Sequence, residues 1–199
     1  MGAKRQALTE RHPAPLSPAK LAHLVLVTSQ FEAAKAWYAT VLNAHPAYEN
    51  AQVCFMTYDD EHHRIGIINM PGLATPPPGV AGLDHMAFTF DDLGQLLATF
   101  QRLKAEGITP YWTINHGPTI SFYYRDVDGN KVELQYDIFR TVADIDAFFA
   151  SGAYDENFMG IIIDPEDLAS RYEAGESMDD LTRRPTLPAG KTPWDMHRP

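Results

Sequence analysis

Positions 21–28 (LAHLVLVT) form an apolar run rich in β-branched and aliphatic residues, which predicts a strand. From Phe31 the pattern changes. Phe31, Ala34, Trp37, Tyr38, Val41 and Leu42 recur at helical spacing, which predicts an amphipathic helix ending near Leu42. Ser29-Gln30-Phe31-Glu32 has the S-x-x-E form of a capping box, in which a hydroxyl and a carboxylate satisfy the free amides of a first turn. Strands are predicted near 47–58 and 64–69. The stretch 71–82 carries Pro76, Pro77 and Pro78 with three glycines, and reads as a linker.

The pattern then recurs. Positions 83–90 (LDHMAFTF) form a strand with a histidine at its third position, as in the first strand. Asp91 or Asp92 caps a helix carrying Leu93, Leu96, Leu97, Phe100 and Leu103, and Gly107 is placed to end it. Strands are predicted near 108–113, 119–125 and 131–137, the last two joined by the hairpin signal Asp128-Gly129. The order strand-helix-strand-strand-strand therefore occurs twice, an internal repeat that governs any further reading of the fold. The repeat starts at an offset of 62, from His23 to His85. It ends at an offset of 67, which aligns Phe55-Met56-Thr57-Tyr58-Asp59 with Phe122-Tyr123-Tyr124-Arg125-Asp126. The expected organisation is a tail at 1–19, a module at 20–70, the linker at 71–82, a second module at 83–139 and an extension at 140–199. In the extension, 141–149 reads as a helix, and Asp164-Pro165-Glu166 as a cap with proline at the first helical position of another helix reaching about Ala174. The proline-rich last fifteen residues are expected to be extended.

Composition narrows the field. A chain of 199 residues suits one compact domain, or two small modules packed as one. The single cysteine, Cys54, excludes an internal disulfide framework and cysteine-rich zinc sites. Sixteen bases against twenty-six acids leave a net charge of −10, contrary to the basic face of a nucleic-acid binder. Twelve of those acids and six of the bases lie beyond position 139, where a solvated surface accounts for them. No apolar run approaches the ~20 residues of a membrane span, and positions 1–19 lack the apolar core of a secretory signal. The expectation is a cytoplasmic protein with no nucleic-acid or membrane partner.

The eight histidines are the unusual feature. His23 shares a strand face with Leu21, Val25 and Val27, and His85 the equivalent face with Leu83, Ala87 and Thr89, because side chains alternate. One histidine on such a face reads as a core residue. Two at matched positions of a repeat point to a shared site where the first strands meet. Glu133 lies in Lys131-Val132-Glu133-Leu134-Gln135-Tyr136. It faces the same way as Gln135, so an ordinary solvent-facing glutamate is the plain reading of that strand. Buried near two histidines, it would need a cation or metal to offset the cost of its charge. His12 and His197 lie in tails, His45 precedes Pro46 in a loop, and His62 follows Asp59-Asp60-Glu61 as a polar turn residue.

Three stretches carry a family resemblance: Leu21-Ala22-His23; Gly82-Leu83-Asp84-His85; and the run from Tyr123 through Arg125-Asp126-Val127-Asp128-Gly129-Asn130 to Leu134. Over about 20–139 the chain resembles the vicinal oxygen chelate superfamily, which includes glyoxalase I, bleomycin-resistance proteins and type I extradiol ring-cleaving dioxygenases. The resemblance implies an α+β fold in which two βαβββ modules form a half-open mixed barrel around a metal, with His23, His85 and Glu133 as ligands. The glyoxalase pattern has a fourth, carboxylate ligand where this chain has Gly66. Two histidines and one carboxylate with open positions suit non-haem Fe(II) oxygen chemistry, with Mn(II) as the alternative. The resemblance therefore implies an extradiol dioxygenase of the one-domain kind, acting with O2 on catechol or a 2,3-dihydroxybiphenyl-type diol. It gives His63 the place of the residue facing substrate and O2. It gives His116 and Tyr123 the places of residues that hydrogen-bond the substrate oxygens. Histidine suits such a role because its pKa of about 6.5 lies near working pH. The alternatives are a metal-dependent lyase or isomerase of the glyoxalase type, and a metal-free binding protein of the bleomycin-resistance type. Trp112, Phe122, Tyr136 and Phe139 are candidates for an aromatic pocket. The extension is expected to pack over the barrel mouth or across a dimer interface. A homo-oligomer is expected, its modules paired within one chain or exchanged between two.

Overall fold

The computed structural model describes residues 15–74, 77 and 80–199; most of the expected N-terminal tail and part of the linker lie outside them. In the first module, strand β1 (Leu24–Thr28) leads through helix α1 (Phe31–Leu42) to β2 (His45–Glu49), β3 (Val53–Thr57) and β4 (Ile65–Asn69). The second runs β5 (His85–Phe90), α2 (Leu93–Ala105), β6 (Trp112–Asn115), β7 (Thr119–Arg125) and β8 (Lys131–Asp137). The extension holds α3 (Val142–Ala150), α4 (Ala153–Glu156), β9 (Ile161–Ile162), α5 (Pro165–Glu173), α6 (Met178–Thr182) and a 3-10 turn at Pro193–Met196.

The βαβββ repeat is present as predicted. Each module builds one mixed sheet, in the orders β1-β4-β3-β2 and β5-β8-β7-β6, with β9 added beyond β6. The first and last strands of each module pair in parallel, and the other pairs are antiparallel. The parallel pairing requires a long crossover between those strands, which the helix begins. Both sheets stay open. Each ends on its module's first strand, and residues of β1 and β5 together line a cavity of about 390 Å³.

Alternation assigns the two faces of the second sheet. Met86, Val132, Leu134, Ile120, Phe122 and Tyr124 point outward into the main core, against Leu93, Leu96, Leu97, Phe100 and Leu103 of α2. The opposite face carries His85, Glu133, Tyr123 and Trp112. Side chains of the two modules meet directly. The buried Tyr38 hydroxyl on α1 donates to Asp126 Oδ2 at 2.9 Å, in the β7–β8 turn. Gln30 donates to Val127 O at 2.7 Å in the same turn, and Arg102 of α2 donates to Thr40 O at the end of α1 at 2.7 Å.

Several boundaries differ from expectation, each for a local reason. Positions 47–58 form two strands, because Asn50 Oδ1 accepts from the amides of Gln52 and Val53 and turns the chain. Ser29 does not cap α1. The N-cap is Gln30, with no side-chain cap bond, while the Ser29 hydroxyl donates to Leu73 O. Asp92 does cap α2, accepting from Gln95 N at 2.8 Å. The strand expected at 108–113 begins at Trp112, after Pro110, and runs to Asn115. The last residues are not wholly extended: Asp195 accepts from the amide and hydroxyl of Thr192 and closes the 3-10 turn.

The strand β9 was not legible as a strand, being two residues long. Its approach depends on Gly160, at φ +107°, where an added Cβ would lie 2.4 Å from Asn115 O.

Candidate active site

Ladder pairing sets Ala87, Glu133, Tyr123 and Trp112 in one row across β5, β8, β7 and β6. His85 lies two residues before Ala87 and so shares their face. Its Nε2 is 3.0 Å from Glu133 Oε2. Glu133 is only 4% exposed, so the plain reading of a solvent-facing glutamate is corrected; farther along the same face, Ile161 and Met196 of the extension pack with Trp112, Ile114 and Tyr123. On its other side, His85 Nδ1 is 2.7 Å from Asp84 Oδ2, and Asp84 Oδ1 accepts from Lys131 Nζ at 3.0 Å. The imidazole, and then the ammonium, hold the Asp84 carboxyl below the ordinary aspartate range. A carboxylate behind a histidine fixes the ring's orientation. Asp84 was missed as a site residue, although its place immediately before His85 was the available signal.

His116 and Tyr123 also come together, with Nε2 3.0 Å from the phenol oxygen. His116 Nδ1 lies 2.5 Å from Met159 O. A carbonyl only accepts, so Nδ1 carries the proton. Nε2 is then the acceptor, and the Tyr123 hydroxyl donates to it. Burial lowers the His116 pKa, opposed by the Met159 carbonyl, and keeps the ring neutral. Burial, and then the negative charge of Glu133, push the Tyr123 phenol well above the tyrosine range, so it stays protonated.

The remaining candidates lie on the first module. His23 and His63 rings are 4.2 Å apart, and His63 stacks on Phe55 at 4.6 Å. Burial, and then the charges of His23 and His62, lower the His63 pKa. Arg64 donates to the carbonyls of Leu21 and Ala22 and pairs with Asp59, fixing the chain just before His23. His62 projects outward from a bend between β3 and β4, as the turn reading expected. His23 and His85 line the same cavity. Among the described residues, however, no group of three His, Cys, Asp or Glu side chains is gathered closely enough to grip one ion. His85 and Glu133 are in contact; His23 turns to His63 instead.

The donor set still fits a divalent transition metal. Two imidazoles facing one cavity, with a buried carboxylate beside one of them, supply the nitrogen and oxygen donors that Fe(II) and Mn(II) accept. A buried carboxylate is also the group for which a cation offsets most desolvation.

The repeat aligns structurally with one adjustment. Val25 pairs with Gly66 and Gly66 with Phe55, as Ala87 pairs with Glu133 and Glu133 with Tyr123. Gly66 is thus the counterpart of Glu133, as the offset of 67 required. Phe55 matches Tyr123, not Phe122. The earlier alignment slips by one residue on β3 and β7, which moves every side chain to the opposite face. Phe122 accordingly packs against Phe100 in the core, Tyr136 lies on that outward face, and Phe139 contacts Phe148. Of the four aromatic candidates only Trp112 shares the site face. Its indole stacks on Tyr123 at 4.5 Å.

Residues 20–134 match the family described as Glyoxalase/Bleomycin resistance protein/Dioxygenase superfamily. Two curated relatives come from Rhodococcus globerulus. Biphenyl-2,3-diol 1,2-dioxygenase 2 is 46% identical over 164 residues, 82% of this chain and 86% of its own length. Biphenyl-2,3-diol 1,2-dioxygenase 3 is 43% identical over 167 residues, 83% and 88% of the respective lengths. Among solved structures, a glyoxylase/bleomycin resistance protein/dioxygenase domain from Frankia sp. EAN1pec superposes with a TM-score of 0.51 at 19% identity. It covers 61% of this chain and 99% of that one, a likeness of fold alone.

Proposed function

This chain belongs to the glyoxalase/bleomycin resistance protein/dioxygenase superfamily, and from that premise we propose that it is an extradiol ring-cleaving dioxygenase. It acts with O2 on a catecholic diol of the catechol or 2,3-dihydroxybiphenyl type. The carrying observation is the buried Glu133 carboxylate 3.0 Å from His85 Nε2, on the sheet face that also presents the Tyr123–His116 pair. The names of the two Rhodococcus relatives support the substrate class.

His23, His85 and Glu133 would hold Fe(II), or alternatively Mn(II). Such an ion, when bound, supplies Lewis acidity toward a diol and redox chemistry toward O2. The protein's own groups do the rest. Tyr123, kept protonated, offers a hydrogen bond to one diol oxygen. His116 Nε2, kept unprotonated, accepts a proton from the diol in place of the one Tyr123 now offers. Proton transfer of this kind is worth roughly 10²–10⁴-fold. His63, its pKa lowered by burial, is a second base on the first module, its ring 4.2 Å from that of His23. Asp84 holds the His85 ring in its orientation. One O2 is consumed per diol, both its atoms enter the product, and one ring carbon–carbon bond beside the diol opens.

Gly66 separates this reading from the glyoxalase-type lyase or isomerase, because it offers no fourth donor at the position matching Glu133. The metal-free binding reading leaves the paired His85 and Glu133 without a role. The deciding experiment reconstitutes protein purified without oxygen with Fe(II) and adds catechol or 2,3-dihydroxybiphenyl. A yellow ring-opened product is expected. Turnover of a glutathione hemithioacetal without diol cleavage would favour the lyase, and absence of stoichiometric metal after reconstitution the binding protein.

A further inference from the structure

Trp112 is the hub of the covered side of the site. Its indole stacks on Tyr123 at 4.5 Å and 27°, and meets the His116 ring edge-on at 5.6 Å. A third contact comes from far along the chain: His197 packs edge-on against the same indole at 5.6 Å. Met196 joins Trp112, Tyr123 and Ile114 in one buried cluster, separate from the main core. The segment bearing Met196 and His197 is itself fastened. Asp195 closes its turn, Trp194 packs on Phe158 at 5.1 Å, and Arg125 donates to Pro199 O at 2.5 Å while lying over Tyr111. Trp112 Nε1 is buried without a hydrogen-bond partner among the described residues. An unpaired buried donor is unfavourable, so packing holds the indole there, not its hydrogen bond.

We propose that Trp112 is a positioning residue, which with Met196 and His197 behind it fixes the Tyr123 ring so that its hydroxyl meets His116 Nε2. The inference rests on the ring-cleavage reading for its consequence in catalysis, though not for the packing itself. A phenol has one hydroxyl direction for each ring placement. A ring free to slide along the sheet face would lose the 3.0 Å contact and the aim at a diol oxygen. The covering segment is thus part of the site's back wall.

The test uses full-length Trp112→Phe, Trp112→Leu and Met196→Ala, each assayed where circular dichroism shows it folded. Trp112→Leu is expected to lower kcat about tenfold or more, with KM for the diol changed less than about threefold, since orientation is what is lost. Trp112→Phe keeps a stacking ring and is expected to stay within about threefold of the parent. Trp112→Leu is also expected to shift the pH profile of kcat, because the His116–Tyr123 pair is loosened. An unchanged kcat in Trp112→Leu, or equal losses in the Phe and Leu variants, or a loss confined to KM, would overturn the proposal. Fluorescence supplies a readout that needs no turnover. The emission that Trp112→Phe removes is expected to move to the red in Met196→Ala, and an unmoved emission would overturn the role of the covering segment. If the parent cleaves no diol, the functional reading fails while the emission result still decides the packing.

Discussion

Glu133 and His85 meet across a parallel strand pair, and their contact concentrates the site's chemistry in two residues. Removing the partner of a ligating histidine costs 10–100-fold, so loss of the proposed ligand itself, in Glu133→Gln, is expected to lower kcat/KM by at least about a hundredfold. Metal content after reconstitution should fall with it. Tyr123→Phe keeps the stack on Trp112 and removes only the hydroxyl. A loss in kcat of roughly 10²-fold is expected, with thermal stability near the parent's. His116 gives a pH dependence whose sign follows from burial. Its folded pKa is lowered, so the unfolded chain binds the extra proton first as pH falls through about 6.5. Stability contributed by the neutral buried ring is intact above that pH. It is lost progressively between 6.5 and the folded pKa, below which the penalty is constant. Thermal melting from pH 7.5 downward should show this, with a shallower fall in His116→Gln. An equal fall in that variant would assign the dependence elsewhere. At this scale the sequence singled out candidate residues better than it told how they meet. Matched repeat positions exposed His23 and His85. Strand alternation could not tell that Glu133 is buried, because alternation gives a side chain's face and not what packs on that face.

Among the elements, helix starts were readable where a short polar side chain stands one residue before the first apolar turn. Asp92, Thr141 and Asp164 all cap as predicted or at the predicted boundary. Ser29 did not, because the Thr28 hydroxyl accepts from Gln30 N and the chain enters α1 one residue later. The two cases predict opposite outcomes. Asp92→Ala should cost about 1 kcal/mol in chemical denaturation, and Ser29→Ala only a few tenths at most. An equal cost for the two would restore the capping box. The one-residue slip between Phe55 and Phe122 has a related origin. Aromatic residues occupy both faces of β7, so composition alone could not fix its register against β3. Only the ladder partners do so.

Across the whole molecule, the two modules are held together by buried polar contacts as well as by the shared core. Tyr38→Phe removes the hydrogen bond to Asp126, a buried carboxylate that also serves the Asn130 amide. It should destabilise the chain by about 1–3 kcal/mol. The extension completes the second module, with β9 on its free edge and the Met196 cluster on its site face. Truncation after position 139 would expose Trp112, Ile114 and Tyr123 together, and light scattering is expected to show aggregation. A soluble, fully active truncated protein would contradict that account. The repeat made the βαβββ order legible from sequence, since periodicity and turn chemistry are local, whereas the half-open arrangement came from the family resemblance. The extension had no repeat to compare with, and its docking depends on tertiary contacts such as that of His197 with Trp112.

The most direct measurement follows oxygen uptake by the Fe(II)-reconstituted protein on addition of a limiting amount of 2,3-dihydroxybiphenyl, beside the Glu133→Ala variant. One O2 consumed per diol by the parent, with none above background in the variant, is the predicted result. Equal uptake by the two proteins, or no uptake by the parent with either catechol or 2,3-dihydroxybiphenyl, would contradict the proposed site.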